Sequence, residues 1–197
     1  MHKEVKEFKK NLILKVATKH FKEKGYTETQ IEKISKELNI GIGTIYSFFG
    51  SKEGLFTQYI HDIINNSFSE IKELVKEISS PLEKLKTIVE YKFSYYEKNK
   101  TIIKDYINSN LFFLKNAQRG KENPMKIIYK YVSEIIKDLL SEEKYKNAKI
   151  INADYYHLAY AFDGIINSYI ERYCDEDTDL RSKTPEAMQM FMNAIGA

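Results

Sequence analysis

The donors in this chain that could do chemistry cluster at the end of one stretch, TQIEKISKELNIGIGTIYSFFGSK, which runs from Thr29 to Lys52. Thr44, Tyr46 and Ser47 lie within four residues, and Lys52 follows five places later. Hydroxyls, a phenol and an ammonium are hydrogen-bond donors suited to oxyanions, phosphates above all. Covalent or metal chemistry has no comparable support. No Gly-rich phosphate loop, His-x-x-x-His or Cys cluster, or nucleophile elbow occurs. The four histidines (His2, His20, His61, His157) are scattered; His157 with Asp154 resembles an acid/base or metal pair, but surface or interface placement is the stronger reading. The CDEDTD run at 174–179 lacks the Gly and the spaced Glu of a calcium loop. We therefore expect no enzymatic activity, no cofactor and no metal.

The elements that must position these donors are short and sharply punctuated. Thr29 and Glu32 have capping-box spacing, which predicts a helix start. Ile31, Ile34 and Leu38 then share one face, and Asn39 lies near the helix end. After the Gly41-Ile42-Gly43 turn, Thr44 to Phe49 is too short to be helical without neighbours. Gly50 supplies a left-handed stop, and Ser51 can cap the next helix. Two short helices joined by a Gly-containing turn, the second presenting small, hydroxyl and aromatic groups, describe a helix-turn-helix able to enter a DNA major groove.

GIGTIYSFFGSKEGLF, preceded by FKEKGYTETQIEKISKELNI, resembles the signature of the tetracycline-repressor (TetR/AcrR-like) family of bacterial transcriptional regulators. The similarity covers roughly the first 60 residues. It implies an N-terminal three-helix DNA-binding domain joined by a long helix to a helical ligand-binding and dimerisation domain. It also implies that Tyr46 donates to a phosphate oxygen. Lys52 is expected to reach a phosphate beside a helix N-terminus, and Thr29 to combine a cap with a phosphate contact. Thr44 and Ser47 are candidate base or phosphate contacts. Gly41 and Ile42 stand where Ser and Lys are frequent in the family, Ser47 where a second tyrosine is common, and Phe48 in place of His or Tyr. The reading helix thus lacks Arg, Asn and Gln, the side chains best suited to bidentate base recognition. Readout is expected to rest on Ile42 and Phe48 against thymine methyls and on DNA shape, with Gly43 at the helix start. Phe49 and Ile45 are expected to pack the domain.

Charge agrees in direction. The net charge is +3, but the first 60 residues carry 11 Lys against 7 Glu, which favours an anionic partner there. The single cysteine, Cys174, suits a reducing compartment, and no 18-residue uncharged apolar run or signal-like N-terminus occurs, so a cytoplasmic location is expected.

The rest of the chain reads as all-α. Val5, Phe8, Leu12 and Val16, with Ile13, Ala17 and Phe21, repeat at helical spacing, with lysines opposite and an end at Gly25-Tyr26. From Ser51 to Ile78 an amphipathic pattern lacks Pro, and lacks Gly after Gly54; at 1.5 Å per residue it spans about 40 Å, long enough to serve two domains. Ser80-Pro81, Asn123-Pro124 and Thr184-Pro185 each place a capping residue before a first-turn proline, and Ser80 with Glu83 completes a box. One or two short helices are expected over 102–114, a loop over 118–123, a helix from Pro124 with two buried sides, one over 150–174 and a last one over 184–195. The expected domains are 1–50 (DNA-binding), 51–78 (linking helix) and 79–197 (ligand-binding and dimerisation).

That third segment is rich in Tyr and Phe, including Tyr91, Tyr95, Tyr106, Phe112, Tyr160 and Phe162. An aromatic stripe is more often core than pocket, yet so many phenols suit an apolar cavity with polar anchors. The candidate ligand-binding residues are Phe93, Tyr96, Asn110, Phe113, Tyr129, Asp163 and Asn167, with Asn108 a further polar candidate. Asp163 stands out, because an unpaired buried carboxylate is costly. Ala153, His157, Ala161, Gly164 and Ser168 form a mostly small stripe. With the doubled apolar positions Ile128, Val132 and Ile135 it would build a four-helix homodimer core. The function expected is that of a homodimeric regulator, a repressor released from a palindromic double-stranded DNA operator by a small, largely apolar or aromatic effector. The alternative is an all-α small-molecule-binding protein or enzyme with a vestigial helix-turn-helix.

Overall fold

The computed structural model describes residues 2–101, 103, 124–145, 154–173, 176 and 178–196, all of them helix, turn or irregular, with no strand among the described residues. The helices expected over 102–114 (Ile103 apart), with Tyr106, Asn108, Asn110, Phe112 and Phe113, lie outside the described residues. So do the 118–123 loop with its Asn123 cap, Ala153 and Cys174. The chain divides into two compact units, 1–65 with 99–123, and 66–98 with 124–197.

In the first unit α1 (His2–Glu28) is broken at Gly25, whose φ of +74° and ψ of −179° end the regular helix where the Gly-Tyr pair predicted. It is followed by α2 (Ile31–Leu38), α3 (Ile42–Phe49) and the first turns of α4 (Lys52–Val75). Ile13, Leu14, Ala17 and Phe21 of α1 pack with Ile31 and Ile34 of α2, Ile45 of α3, and Leu55, Phe56, Tyr59 and Ile60 of α4. Phe21 lies edge-on to Phe56 with ring centroids 4.9 Å apart, and Tyr26 packs on Phe56 at 4.8 Å. Eight-residue helices are marginal in isolation, so this apolar seam is what holds α2 and α3 helical.

Two expectations fail here. Val5, Phe8 and Leu12 do not continue the core stripe; they are exposed, Phe8 at 69%. Residues 13, 14, 17 and 21 project from the other side of α1, so this helix has two apolar faces and only one is buried. The Thr29–Glu32 capping box does not form. Gln30 is the N-cap and makes no side-chain cap bond, while the Thr29 hydroxyl turns inward to donate to the carbonyls of Gly25 (2.6 Å) and His20 (3.2 Å).

The second unit contains the rest of α4, then α5 (Pro81–Lys98), α6 (Met125–Ser141), α7 (Tyr155–Tyr173) and α8 (Thr184–Ile195), with short 3-10 turns at Glu143–Tyr145 and Leu180–Lys183. Ser80 Oγ accepts from the Glu83 N–H (3.4 Å) and caps α5 as its sequence suggests. Thr184 does not cap α8: it is already helical, Lys183 precedes it as N-cap, and its buried hydroxyl has no hydrogen-bond partner among the described residues. Leu85, Val89 and Phe93 of α5, Ile136 and Leu139 of α6, Phe162 and Ile166 of α7, and Phe191 and Ile195 of α8 form the interior. Phe162 meets Phe191 edge-on at 4.8 Å. The buried positions of α6, Tyr129, Val132, Ser133, Ile135, Ile136 and Leu139, lie on one broad side, and Ile127 is exposed, so the two buried sides read from the doubled apolar pattern are not found within the protomer.

Candidate functional site

Helix α3 is fastened to the fold by its inner side. Ile45 is fully buried, Ile42, Phe48 and Phe49 are half-buried against the core, and Gly43, Tyr46 and Ser47 face solvent. Tyr46 is 41% exposed, a large side chain left outside a well-formed core. The turn before α3 is set by Asn39, left-handed at φ +51°, and by Ser35, whose hydroxyl donates to the Ile40 carbonyl at 2.6 Å. After α3, Gly50 takes φ +76° and Ser51 Oγ accepts from the Gly54 N–H (3.1 Å), capping α4. Gly54 itself is obligatory. A Cβ built there would lie 2.0 Å from the Phe49 carbonyl oxygen, so α3 and α4 meet at a distance only glycine allows.

The ammonium of Lys52 donates to the Thr27 carbonyl (3.1 Å) and sits 4.6 Å above the Tyr26 ring. Tyr26 in turn donates to Glu53 at 3.1 Å. Burial, with help from Glu53, pushes the Tyr26 phenol up to about 12. The Ser51 hydroxyl above all holds the Glu53 carboxyl below the usual carboxylate range. A compact cation is thereby fixed next to the N-terminus of α4, where backbone N–H groups also favour an anion. His20 of α1 and Glu37 of α2 pair at 2.8 Å, which keeps the Glu37 carboxyl low. The amino-acid sequence alone assigns no site role to Tyr26, Glu53, His20 or Gly54. Their roles come from contacts across 17 to 27 positions or from a close backbone approach, neither of which leaves a local pattern.

Of the residues expected to meet DNA, Ile42, Gly43, Thr44, Tyr46, Ser47 and Phe48 share α3, and Lys52 opens α4. Ser47 Oγ donates back to the Thr44 carbonyl (2.7 Å). Thr29 is corrected: at 2% exposure with its hydroxyl committed to two carbonyls, it ties the break between α1 and α2 from within instead of facing a phosphate.

In the second unit, Phe93 and Tyr96 are fully buried, and Phe93 packs on Tyr169 at 6.1 Å. Tyr129, Asp163 and Asn167 do come together. Asp163 accepts from Tyr129 Oη (3.2 Å) and Asn167 Nδ2 (2.9 Å) and forms an ion pair with Lys92, a partner the sequence reading missed. Asp163 is therefore not an unpaired buried carboxylate. Asn110 and Phe113 lie outside the described residues. His157, Ala161, Gly164 and Ser168 form an exposed stripe along α7, and Ile128 is half-buried. Val132 and Ile135 are corrected from interface to protomer core, because both turn inward among the buried residues of α6. The Asp154–His157 pair is an exposed helix-start contact at 2.9 Å.

A short helix, a tight left-handed turn and a second short helix presenting its outer side, all fastened to a third helix, define a helix-turn-helix protein. Residues 13–59 match the family model of bacterial regulatory proteins of the tetR family, so this segment is similar to the N-terminal domain of that family. A similar curated protein is the uncharacterized HTH-type transcriptional regulator YhgD of Bacillus subtilis, 40% identical over 73 residues, 37% of this chain and 36% of that one. The fatty acid metabolism regulator protein of Bacillus subtilis is 29% identical over 82 residues, 42% of each chain. The chain spans between about a third and a half of the length of the first curated relatives it matches. Among solved structures, the transcriptional regulator FadR of Bacillus subtilis in complex with stearoyl-CoA superposes with a TM-score of 0.70 at 18% identity. It covers 93% of this chain and 98% of its own.

Proposed function

We propose that this chain is a ligand-responsive, homodimeric DNA-binding transcriptional regulator without enzymatic activity, working in the cytoplasm as a repressor. The observation that carries the reading is the outer side of α3. It is a solvent-facing, uncharged surface with Tyr46 at its centre and Lys52 fixed beside it, held by an inner side with no other task. Such a helix presents hydroxyl, phenol and methyl groups to a major groove, while the neighbouring cation and helix N-terminus take phosphates. Residues 1–50 would read DNA, 51–78 would link, and 79–197 would bind effector and dimerise. Two readers about one DNA turn apart would require a palindromic operator. An effector would bias the linking helix between two settings, with binding reciprocal between DNA and effector. FadR's complex with stearoyl-CoA makes a small molecule with a long apolar chain a reasonable effector class for this chain too.

Gel shift and fluorescence anisotropy on the DNA upstream of the chain's own reading frame test this. The wild type is expected to bind at sub-micromolar strength with a steep salt dependence. Tyr46→Phe removes one phosphate donor, so affinity should fall roughly five-fold, about 1 kcal/mol. Lys52→Ala should weaken binding and lower the salt slope by about 0.9. Unchanged affinity in both variants would remove the contact assignment, and no binding by the wild type would remove the function.

A further inference from the structure

Lys92 and Asp163 form the ion pair that ties α5 to α7, 71 positions apart, with side chains only 23% and 13% exposed. Its two ends are supported unequally. The carboxylate accepts three donors: the Lys92 ammonium, the Tyr129 phenol and the Asn167 amide. Among the described residues, the ammonium has Asp163 as its acceptor. Separating the pair would leave the carboxylate with two hydrogen bonds and the largely buried cation with none. A buried charge stripped of its partner is the expensive half of a broken ion pair. The cost therefore falls on Lys92, and what enters can offset it only by bringing a negative charge. A cation would be repelled by the ammonium already there, and a neutral molecule would leave it unpaired. Beside the pair, the Tyr129 ring packs against Tyr160 (5.0 Å) and Tyr156 (5.9 Å), two solvent-exposed rings that offer an apolar surface next to the charge.

We propose that the effector is an amphiphile with an anionic head, a carboxylate or a phosphate, which takes Lys92 from Asp163 while Tyr129 and Asn167 keep the freed carboxylate satisfied. This deepens the regulator reading and rests on it for the DNA response, though not for binding itself. Losing the tie would free α5, whose Tyr91 donates to Glu70 of α4 at 2.9 Å, so the exchange reaches the helix that leads to the reader.

The test is titration calorimetry on the full chain with one tail and four heads: decanoate, decyl phosphate, 1-decanol and decylamine. At least one anion should bind ten-fold or more tighter than the alcohol and the amine, and whichever anion binds tighter identifies a free acid or a phosphate-bearing group as the source. Lys92→Met should bring the anions down to the alcohol's affinity. Asp163→Asn should tighten anion binding several-fold, because the internal competitor loses its charge. A merely structural pair would instead make Asp163→Asn bind more weakly. If Lys92→Met does not fold, Asp163→Asn decides alone. Equal affinity for all heads, no binding of any, or weakened anion binding by Asp163→Asn overturns the proposal. DNA binding measured in parallel separates the two readings: a chain that selects anions but never binds DNA loses the regulator reading and keeps this one.

Discussion

Replacing Gly54 with alanine should destabilise the protein, although helix propensity taken alone points the other way. An alanine in a helix is worth about 1 kcal/mol over glycine. At this position, however, the added methyl would lie 2.0 Å from the Phe49 carbonyl oxygen and 3.1 Å from its carbon. Relief requires the end of α3 to part from α4 by more than an ångström, because the obstacle is backbone and no side chain can swing aside. Overpacking of that kind costs about 1–3 kcal/mol, and the upper half of the range applies. The net loss is then about 1–2 kcal/mol, or a melting temperature lower by roughly 2–8 °C for a chain of this size. DNA binding should suffer more, since the displaced element is the one proposed to enter the groove; a ten-fold loss corresponds to only about 1.4 kcal/mol. The control for melting is Gly43→Ala on α3, where a Cβ meets nothing within 4 Å and the usual gain in stability should appear. Circular-dichroism melting of both variants and anisotropy of Gly54→Ala with a labelled duplex read the outcome. If Gly54→Ala melts higher, as Gly43→Ala should, and binds DNA as wild type does, the close approach is wrong.

Three other outcomes follow from particular contacts. Thr29→Val keeps the shape of a buried residue but leaves the carbonyls of Gly25 and His20 without its hydroxyl. It should cost about 1–3 kcal/mol in urea unfolding, and an unchanged midpoint would show the hydroxyl is idle. Tyr26, pushed up to about 12, stays protonated in the fold after the unfolded chain's phenol has ionised near 10. Its contribution is intact below pH 10 and drains away as pH rises toward 12, so wild type should lose its advantage over Tyr26→Phe across that window; an advantage that grows there contradicts the assignment. Gly164→Arg should leave the protomer folded, given the open space at that site, but should yield monomers in sedimentation if the α7 stripe pairs two copies. Dimers that persist would place the interface elsewhere.

The punctuation of the fold was legible because it is local. Gly50 and Ser51 end α3 and begin α4, Ser80 caps α5, and the Gly25-Tyr26 break falls where expected, each decided by residues within a turn of one another. What failed was decided at a distance or by choice between faces. Apolar residues at 5, 8 and 12 obey the same helical period as those at 13, 17 and 21, and periodicity cannot say which face finds a partner. Thr29 has a capping residue's type and spacing, but two carbonyls made available by the Gly25 break capture its hydroxyl. Val132 and Ile135 have the doubled pattern of an interface, yet packing within the protomer consumes it. Asp163 was rightly suspect as a buried carboxylate, but its partner is 71 positions earlier on a face with no distinguishing pattern. The helix-turn-helix was easier to find than the cluster around Asp163 because the first is written in consecutive residues and the second in coincidences between helices.

The division of labour within α3 has an evolutionary consequence. Ile45 does the anchoring, while Gly43, Tyr46 and Ser47 contribute little to the protomer's interior. Substitutions on the outer side are therefore nearly free of folding penalty, so under the proposed function new operator preferences lie one or two codon changes away. Lineages carrying this scaffold would then diverge in the promoters they attend to long before their architecture drifts.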